Sequence, residues 1–225
     1  MNGSSLRFVA YALLLVASVA IAAEPPDDFS RWEKAIAAFE KQDQEKPPPK
    51  NGVLFVGSSS IRLWDLKKSF PDLAAINRGF GGSQIADAVH FAPQLILKHA
   101  PRLVVFYAGD NDIAVGKSPE RVCADFQRLV QVIHKELPKT RIVFLAIKPS
   151  PARWKLVDVQ QKANGQVKEF CRKDARLAYL DVAKPLLGDD GKPRRELFAK
   201  DGLHLNAKGY EIWSALLKPH LKTGP

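Results

Sequence analysis

The segment VLFVGSSSIRLW (residues 53–64) contains the pattern from which the fold can be inferred. A run of apolar residues, VLFVG (53–57), ends in a glycine that is followed at once by three serines, Ser58, Ser59 and Ser60. An apolar run this continuous is expected for a strand covered on both faces, as in a parallel sheet. The serines then lie at the carboxyl end of that strand. At that position the sequence is compatible with an ordinary turn, a phosphate-binding loop or a catalytic nucleophile.

Four further apolar runs follow, separated by stretches with helical spacing. The runs are AAIN (74–77), LVVFYAG (103–109), RIVFLAI (141–147) and LAYLDV (177–182). The helical stretches lie near 83–99, 119–136, 157–173 and 206–218, with Asn206 as a cap for the last one. Strand–helix units with right-handed crossovers predict a three-layer α/β/α fold, with a flavodoxin-like five-stranded parallel sheet of order 2-1-3-4-5.

The overall composition indicates a soluble globular chain. Its 225 residues are 46% hydrophobic and 26% charged, which is ordinary for one domain with a real core. The formal net charge is +10, but the lysines and arginines are scattered among acidic residues and form no basic stripe or recognition helix. We therefore expect a solvated basic surface, compatible with acidic substrates, and no nucleic-acid partner.

The first 22 residues differ from the rest of the chain. A short positively charged start, MNGSSLR (1–7), precedes an apolar stretch, FVAYALLLVASVAI (8–21), and a small-residue pattern at Ala20, Ile21 and Ala22. This is the layout of a cleavable secretory signal peptide, and the apolar stretch is short for a membrane span. The sequence predicts a periplasmic or secreted protein with no stable membrane insertion after signal removal; retention of the segment as an anchor is the alternative.

A helix and a proline-rich connector are expected between the signal peptide and the main domain. The stretch 29–44 has helical spacing, with Trp32, Ile36 and Phe39 on one face, and KPPPKNG (46–52) breaks it. The sequence does not indicate an oligomeric state. The predicted parts are the signal peptide (1–22), the N-terminal helix with its connector (23–50) and the main domain (51–225).

The two cysteines, Cys123 and Cys171, are expected to be free and largely buried. They fall near the start of one predicted helix and the end of a parallel one. Ten residues of axial offset amount to about 15 Å, which is too far for a disulfide.

The loops after the first three predicted strands converge at one edge of the sheet, beside the switch point between strands 1 and 3. The first loop carries the serines, the second is NRGFGGSQ (77–84) and the third is AGDND (108–112). Just before the last helix, KDGLHLN (200–206) places Asp201 and His204 three residues apart. Together these loops bring a hydroxyl, amide donors, an imidazole and a carboxylate, the components of a Ser–His–Asp acyl-transfer site.

Other titratable residues are not expected to carry chemistry. Asp87 and His90 repeat the Asp-x-x-His spacing, but they lie in a helical stretch where a solvated face is the simpler interpretation. No cluster of histidine or cysteine has the spacing of metal ligands, so no metal is expected. The histidines outside the late loop are at positions 90, 99, 134 and 220.

The loop sequences resemble the blocks of the GDSL/SGNH hydrolase superfamily, over about residues 51–222. The run 57–59 is similar to the family's first block, Gly-Asp-Ser, with Ser58 in place of the aspartate. The remaining blocks match in the family's order: the second-block glycine at Gly82, Gly-x-Asn-Asp at 109–112 and Asp-x-x-His at 201–204. The resemblance implies the SGNH hydrolase fold and an SGNH-type esterase or lipase.

The resemblance also implies a role for each matched residue. Ser59 is the nucleophile, His204 is the general base and Asp201 orients the imidazole ring. The oxyanion hole consists of the backbone N–H groups of Ser59 and Gly82 and the side-chain amide of Asn111. No cofactor is implied, and Ser58 is assigned no role.

The interpretation that follows is an exported serine esterase acting on small acyl esters, with O-acetyl groups on carbohydrates as candidate substrates. The insertions between blocks are short, which leaves no large lid to shelter a long lipid chain. The loop KPSPARW (148–154) offers Arg153 and Trp154 to the substrate side. For Trp154, covering the sheet edge is an equal alternative.

Two other functions are compatible with the same scaffold. A non-catalytic module would hold a phosphate, a flavin or a carbohydrate at the first loop, but Asp201 and His204 would then have no task. An acyltransferase would keep the site and pass the acyl group to a sugar instead of to water.

Overall fold

The computed structural model describes residues 28–222, and the predicted signal peptide lies outside this range. Five parallel strands form one sheet in the order β2-β1-β3-β4-β5. The strands are β1 (Val53–Gly57), β2 (Ala75–Gly79), β3 (Leu103–Tyr107), β4 (Arg141–Leu145) and β5 (Leu177–Leu180). The predicted three-layer fold and strand order are confirmed. The first strand ends where predicted, β2 extends two residues past its predicted end, and β3, β4 and β5 each end two residues before theirs.

Helices cover both faces of the sheet. They are α1 (Glu33–Glu45), α2 (Ser59–Arg62), α3 (Leu66–Ser69), α4 (Ile85–His90), α5 (Ala92–Leu95), α6 (Asp110–Ala114), α7 (Pro119–Glu136), α8 (Val157–Cys171) and α9 (Ala207–Leu217). The single helix predicted over 83–99 is instead divided into α4, α5 and a 3-10 turn. Pro93 lies in the first turn of α5, and a proline there cannot donate the hydrogen bond that would continue α4. Within residues 28–222, no helix has the length and apolar character needed to cross a bilayer.

The sheet separates two hydrophobic cores, and the alternation of side chains along β1 shows why. Leu54 and Val56 face the core beneath α4, α7 and α8, whereas Val53 and Phe55 face the core beneath α9. All four side chains are at most 1% exposed. Such two-sided burial explains the continuous apolar run, and it fixes which end of each strand reaches the site loops.

The last helix begins at the predicted cap. The side chain of Asn206 accepts hydrogen bonds from the backbone N–H groups of Lys208 (3.0 Å) and Gly209 (3.2 Å). Its amide also donates to the carbonyl of Glu196 at 2.8 Å. The two bonds to the Asn206 side chain satisfy backbone N–H groups in the first turn of α9 that have no acceptor within the helix. The bond to Glu196 anchors the loop that precedes the helix.

The N-terminal helix α1 is docked against the domain. Ile36 is buried, and Trp32 and Phe39 pack against the same core, so the predicted apolar face is the packed one. Asp43 of α1 pairs with Arg78 of β2, and its other oxygen lies 2.7 Å from Lys98 Nζ. The ion pairs hold α1 beside the edge strand β2.

Cys123 and Cys171 are free and buried, as predicted, but the argument from a 15 Å offset is wrong. Phe126 and Phe170 lie edge to face at 6.0 Å, and Gln166 donates to Glu120 at 2.7 Å. These contacts place the end of α8 level with the first half of α7, so the two cysteines lie within about one helical turn along the axis. The starts of the two helices are not level. Burial raises the pKa of Cys171 to about 12, with a further rise from nearby Cys123.

Candidate active site

The first loop turns sharply at Gly57, where the backbone φ is +142°. A Cβ atom there would lie 1.8 Å from the carbonyl oxygen of Tyr107 in β3, so only glycine fits. The next residue, Ser58, donates its N–H to that same oxygen at 2.9 Å. Ser58 and Ser60 are buried, and only Ser59, the first residue of α2, is partly exposed. The turn therefore presents the middle serine.

The partners of Ser59 come from the loop before α9. His204 Nε2 lies 2.9 Å from Ser59 Oγ, and His204 Nδ1 lies 2.6 Å from Asp201 Oδ2. These distances fit an imidazole with its proton on Nδ1, which donates to Asp201 and leaves Nε2 to accept from Ser59. The sheet and α9 thus bring together three residues that are up to 145 positions apart in the chain.

The carboxylate of Asp201 is shared between the ring and its own loop. Its Oδ1 accepts hydrogen bonds from the backbone N–H groups of Leu203 (2.9 Å) and His204 (3.0 Å). Gly202 adopts φ +64°, which lets the chain reverse between the two side chains. The hydrogen bonds from the His204 ring and from the two N–H groups lower the pKa of Asp201 to about 2, so it is ionised at neutral pH.

Asn111 connects the second and third loops. Its side-chain Nδ2 donates to the carbonyl of Ser83 at 2.9 Å, next to Gly82, whose φ is +81°. Its Oδ1 accepts from Arg153 Nη2 at 3.0 Å. Because the oxygen of the amide faces the guanidinium, the NH₂ group faces the glycine-rich loop.

Arg153 lies in the 3-10 segment Pro151–Leu156. Besides its bond to Asn111, it contacts Asp110. Its Nη1 donates to Asp110 Oδ2 at 3.0 Å, and Lys148 Nζ lies 3.8 Å from the same oxygen. Lys148 is only 1% exposed, and burial lowers its pKa while the Asp110 carboxylate opposes that shift. The guanidinium of Arg153 thus already has two protein acceptors. Its predicted contact with substrate stays a prediction, as does that of Trp154, which is partly exposed.

The N-terminal segment also reaches this edge of the sheet, which was not predicted. A Cβ atom at Gly82 would lie 3.3 Å from Trp32 Cη2, and the Trp32 ring lies edge to face with Phe80 at 5.5 Å. Helical spacing placed Trp32 on an apolar face, but spacing within a helix does not say which loop the helix will meet.

Asp112 and Asp87 are also buried carboxylates near the site. Asp112 accepts from the backbone N–H of Ile85 (3.2 Å to Oδ1), and burial raises its pKa to about 7. The expectation of a solvated face for Asp87 is wrong: it is 2% exposed and accepts from Gln84 N at 2.7 Å, capping α4. His90 instead stacks on Phe29, with ring centroids 4.0 Å apart. In the described part of the chain, no three His, Cys, Asp or Glu side chains are grouped to hold a metal ion.

A hydrogen-bonded Ser–His–Asp series at the carboxyl edge of a parallel sheet is typical of hydrolases that act on ester bonds. A sequence model of the GDSL-like lipase/acylhydrolase family matches residues 62–212, and the chain belongs to that family of ester hydrolases. The match includes Gly82, Asn111, Asp201 and His204 and begins just after Ser59.

Known proteins resemble this chain over most of its length. The human platelet-activating factor acetylhydrolase IB subunit alpha2 is 28% identical over 205 residues, covering 86% of this chain and 85% of that protein. A GDSL-like lipase from Bacteroides thetaiotaomicron superposes with a TM-score of 0.71 at 19% identity, covering 83% of this chain and 96% of that one. A catalytic mutant of the acetylxylan esterase Axe2 from Geobacillus stearothermophilus gives a TM-score of 0.63 at 13% identity, with coverages of 78% and 96%.

Proposed function

We propose that this protein is a serine esterase whose nucleophile is Ser59. The observation that carries the proposal is the unbroken contact series from Asp201 through His204 to Ser59, at 2.6 and 2.9 Å. A serine hydroxyl attacks an ester only when a neighbouring base removes its proton, and His204 Nε2 is positioned to do so. Asp201, ionised at neutral pH, holds the ring and stabilises its positive form.

The reaction then proceeds through an acyl-enzyme. Attack of Ser59 Oγ on the ester carbonyl gives a tetrahedral intermediate, and His204 passes the proton to the departing alcohol oxygen. Water enters, His204 takes a proton from it, and the resulting hydroxide attacks the acyl-serine carbonyl. Collapse of the second intermediate releases the carboxylic acid and returns the proton to Ser59 Oγ.

The negative charge of both intermediates falls on the former carbonyl oxygen. The backbone N–H groups of Ser59 and Gly82 and the Nδ2 of Asn111 are the donors proposed for it. The contact of Asn111 Oδ1 with Arg153 supports this assignment, because it turns the amide nitrogen toward the Gly82 loop. Removing one such donor typically costs about 3–4 kcal/mol of transition-state stabilisation.

Small acyl groups, acetyl in particular, are the proposed substrates, with carbohydrate esters as the candidate class. One relative is named an acetylhydrolase and one structural neighbour an acetylxylan esterase, which supports an acetyl substrate. The layout of residues 1–22 supports export to the periplasm or the medium.

The test is an assay of the mature protein on p-nitrophenyl esters of increasing acyl length, with Ser59→Ala and Ser58→Ala beside the wild type. We expect the highest kcat/KM on the acetate, a loss of about 10⁴-fold or more for Ser59→Ala, and a change within a few-fold for Ser58→Ala. No hydrolysis of any ester, or equal losses for the two variants, would refute the proposal. Adding a sugar acceptor tests the acyltransferase alternative, which requires acyl transfer to the sugar to exceed transfer to water.

A further inference from the structure

A groove of about 660 Å³ opens beside His204, between the α2–α3 region and α9. His204 and Asp201 are among the residues that line it, and we call it the alcohol groove. Its apolar wall consists of Leu63, Leu205 and Tyr210. Three exposed charged residues, Asp65, Lys68 and Glu211, also line the groove, and we call them its rim.

The position of this groove relative to His204 decides which part of an ester it can hold. In the tetrahedral intermediate, the oxyanion points to the hydrogen-bond donors, and the leaving oxygen must lie next to the imidazole that protonates it. The proposed donors, Gly82 and Asn111, do not line the groove, whereas His204 does. The alcohol part of the ester therefore extends into the groove.

The wall of the groove is preformed. Tyr210 is fixed because its hydroxyl donates to the Ser60 carbonyl at 2.9 Å and its ring stacks on Trp64 at 5.6 Å. Leu63 is 43% exposed, and Leu63 and Val115 are the two large hydrophobic side chains exposed to this degree or more within residues 28–222. The apolar surface of Leu63 is therefore available for contact with a ligand in the groove.

The rim carries charged groups that are free to bind hydroxyls. Across the described residues, neither the Lys68 ammonium nor the Glu211 carboxylate has an ion-pair or side-chain hydrogen-bond partner. The Asp65 carboxylate accepts a hydrogen bond from the backbone N–H of Lys68, at 2.9 Å. Pockets of this kind use apolar walls for contact area and a few polar groups to fix orientation.

We infer that the alcohol groove binds a bulky polyhydroxylated alcohol, such as a sugar ring, as the leaving group of the ester. The apolar wall fits the C–H face of a ring, and the rim fits hydroxyl donors and acceptors at its edge. The inference rests on the proposed esterase function and names its substrate: a small acyl group on a large polar alcohol.

The experiment compares three acetates that share the acyl group: ethyl acetate, hexyl acetate and a mono-O-acetylated methyl xyloside. The variant is Leu63→Ala combined with Glu211→Ala, two exposed positions, with Val115→Ala, also exposed, as the matched control. We expect kcat/KM on the xyloside to fall about tenfold, through KM, with ethyl acetate changed less than twofold. The control variant is expected to match the wild type on all three esters.

Each other outcome overturns the inference. Equal changes on all three acetates, or none, show that the groove does not bind the alcohol. A loss confined to hexyl acetate shows an apolar alcohol instead of a sugar. These results come from an active wild type, so they differ from failure of the proposed function, in which the wild type and Ser59→Ala are equally inactive and the inference falls with it.

Discussion

Replacing Arg153 by Met tests whether this arginine sets the orientation of Asn111. The substitution keeps the length of the side chain but removes both guanidinium contacts, each 3.0 Å long. Asp110 would keep Lys148 Nζ at 3.8 Å, so its carboxylate is not left without a cation. We therefore expect a folded protein in which only the restraint on the Asn111 amide is lost.

The magnitude follows from the hydrogen bonds on either side of that amide. A bond from a charged donor contributes about 1.5–3 kcal/mol, and Arg153 is 20% exposed, which favours the lower value. The Nδ2 bond to Ser83 remains, contributes about 1 kcal/mol to the same orientation and keeps the loss at or below that lower value. A loss of about 1.4 kcal/mol, the upper bound, corresponds to a decrease in kcat of up to about tenfold. That is well short of the roughly hundred- to thousandfold expected for Asn111→Ala.

A double-mutant cycle provides the decisive measurement. In the Asn111→Ala background, Arg153→Met should change kcat by less than twofold, because no amide remains to be oriented. Lys155→Met, an exposed neighbour in the same segment, serves as the control, and thermal unfolding checks the fold. If Arg153→Met raises KM at constant kcat, Arg153 contacts the substrate and the orientation argument is refuted. Additive losses in the cycle would refute it as well.

Two further predictions concern stability. Gly57→Ala should unfold the protein or cost more than about 4 kcal/mol, because its Cβ would lie 1.8 Å from the Tyr107 carbonyl oxygen. Gly116→Ala, at φ +95° with open space around it, should cost only about 1–2 kcal/mol; similar denaturant midpoints for the two variants would contradict this. Burial raises the pKa of Asp112 from 3.8 to about 7, so the native state retains a proton that the unfolded state releases. Its contribution makes the free energy of unfolding decrease from about pH 4 to pH 7, by at most about 1.4 kcal/mol per pH unit, and Asp112→Asn should flatten that decrease. An unchanged pH profile for Asp112→Asn in urea titrations would show that Asp112 is ionised throughout.

The fold could be predicted because its signals are local. Apolar runs such as 53–57 reveal strands buried on both faces, and handedness rules leave few orders for five of them. The points at which helices break, and the positions of neighbouring helices along their axes, could not be predicted in the same way. Pro93 divides a segment whose apolar spacing looks continuous, and the level of α8 against α7 depends on contacts such as Phe126 with Phe170.

The candidate site was predictable to the extent that loops at one sheet edge must meet. This placed Ser59, Asn111 and the Asp201–His204 loop together, because each follows a strand or precedes a helix whose position the topology fixes. The contacts of Arg153 and Lys148 were not predictable. A lysine that follows an apolar strand is normally exposed, and its burial beside Asp110 depends on charges that are distant in the sequence.

The docking of α1 changes how properties can be transferred between relatives. Trp32 and Asp43 precede the family-matched residues 62–212, yet Trp32 touches Gly82 and Asp43 pairs with Arg78 on the edge strand. The N-terminal segment therefore contacts the second site loop directly, through Trp32. Two homologues with the same four sequence blocks but different N-terminal segments need not have the same kinetic constants. An alignment confined to the blocks would not include the residues responsible for the difference.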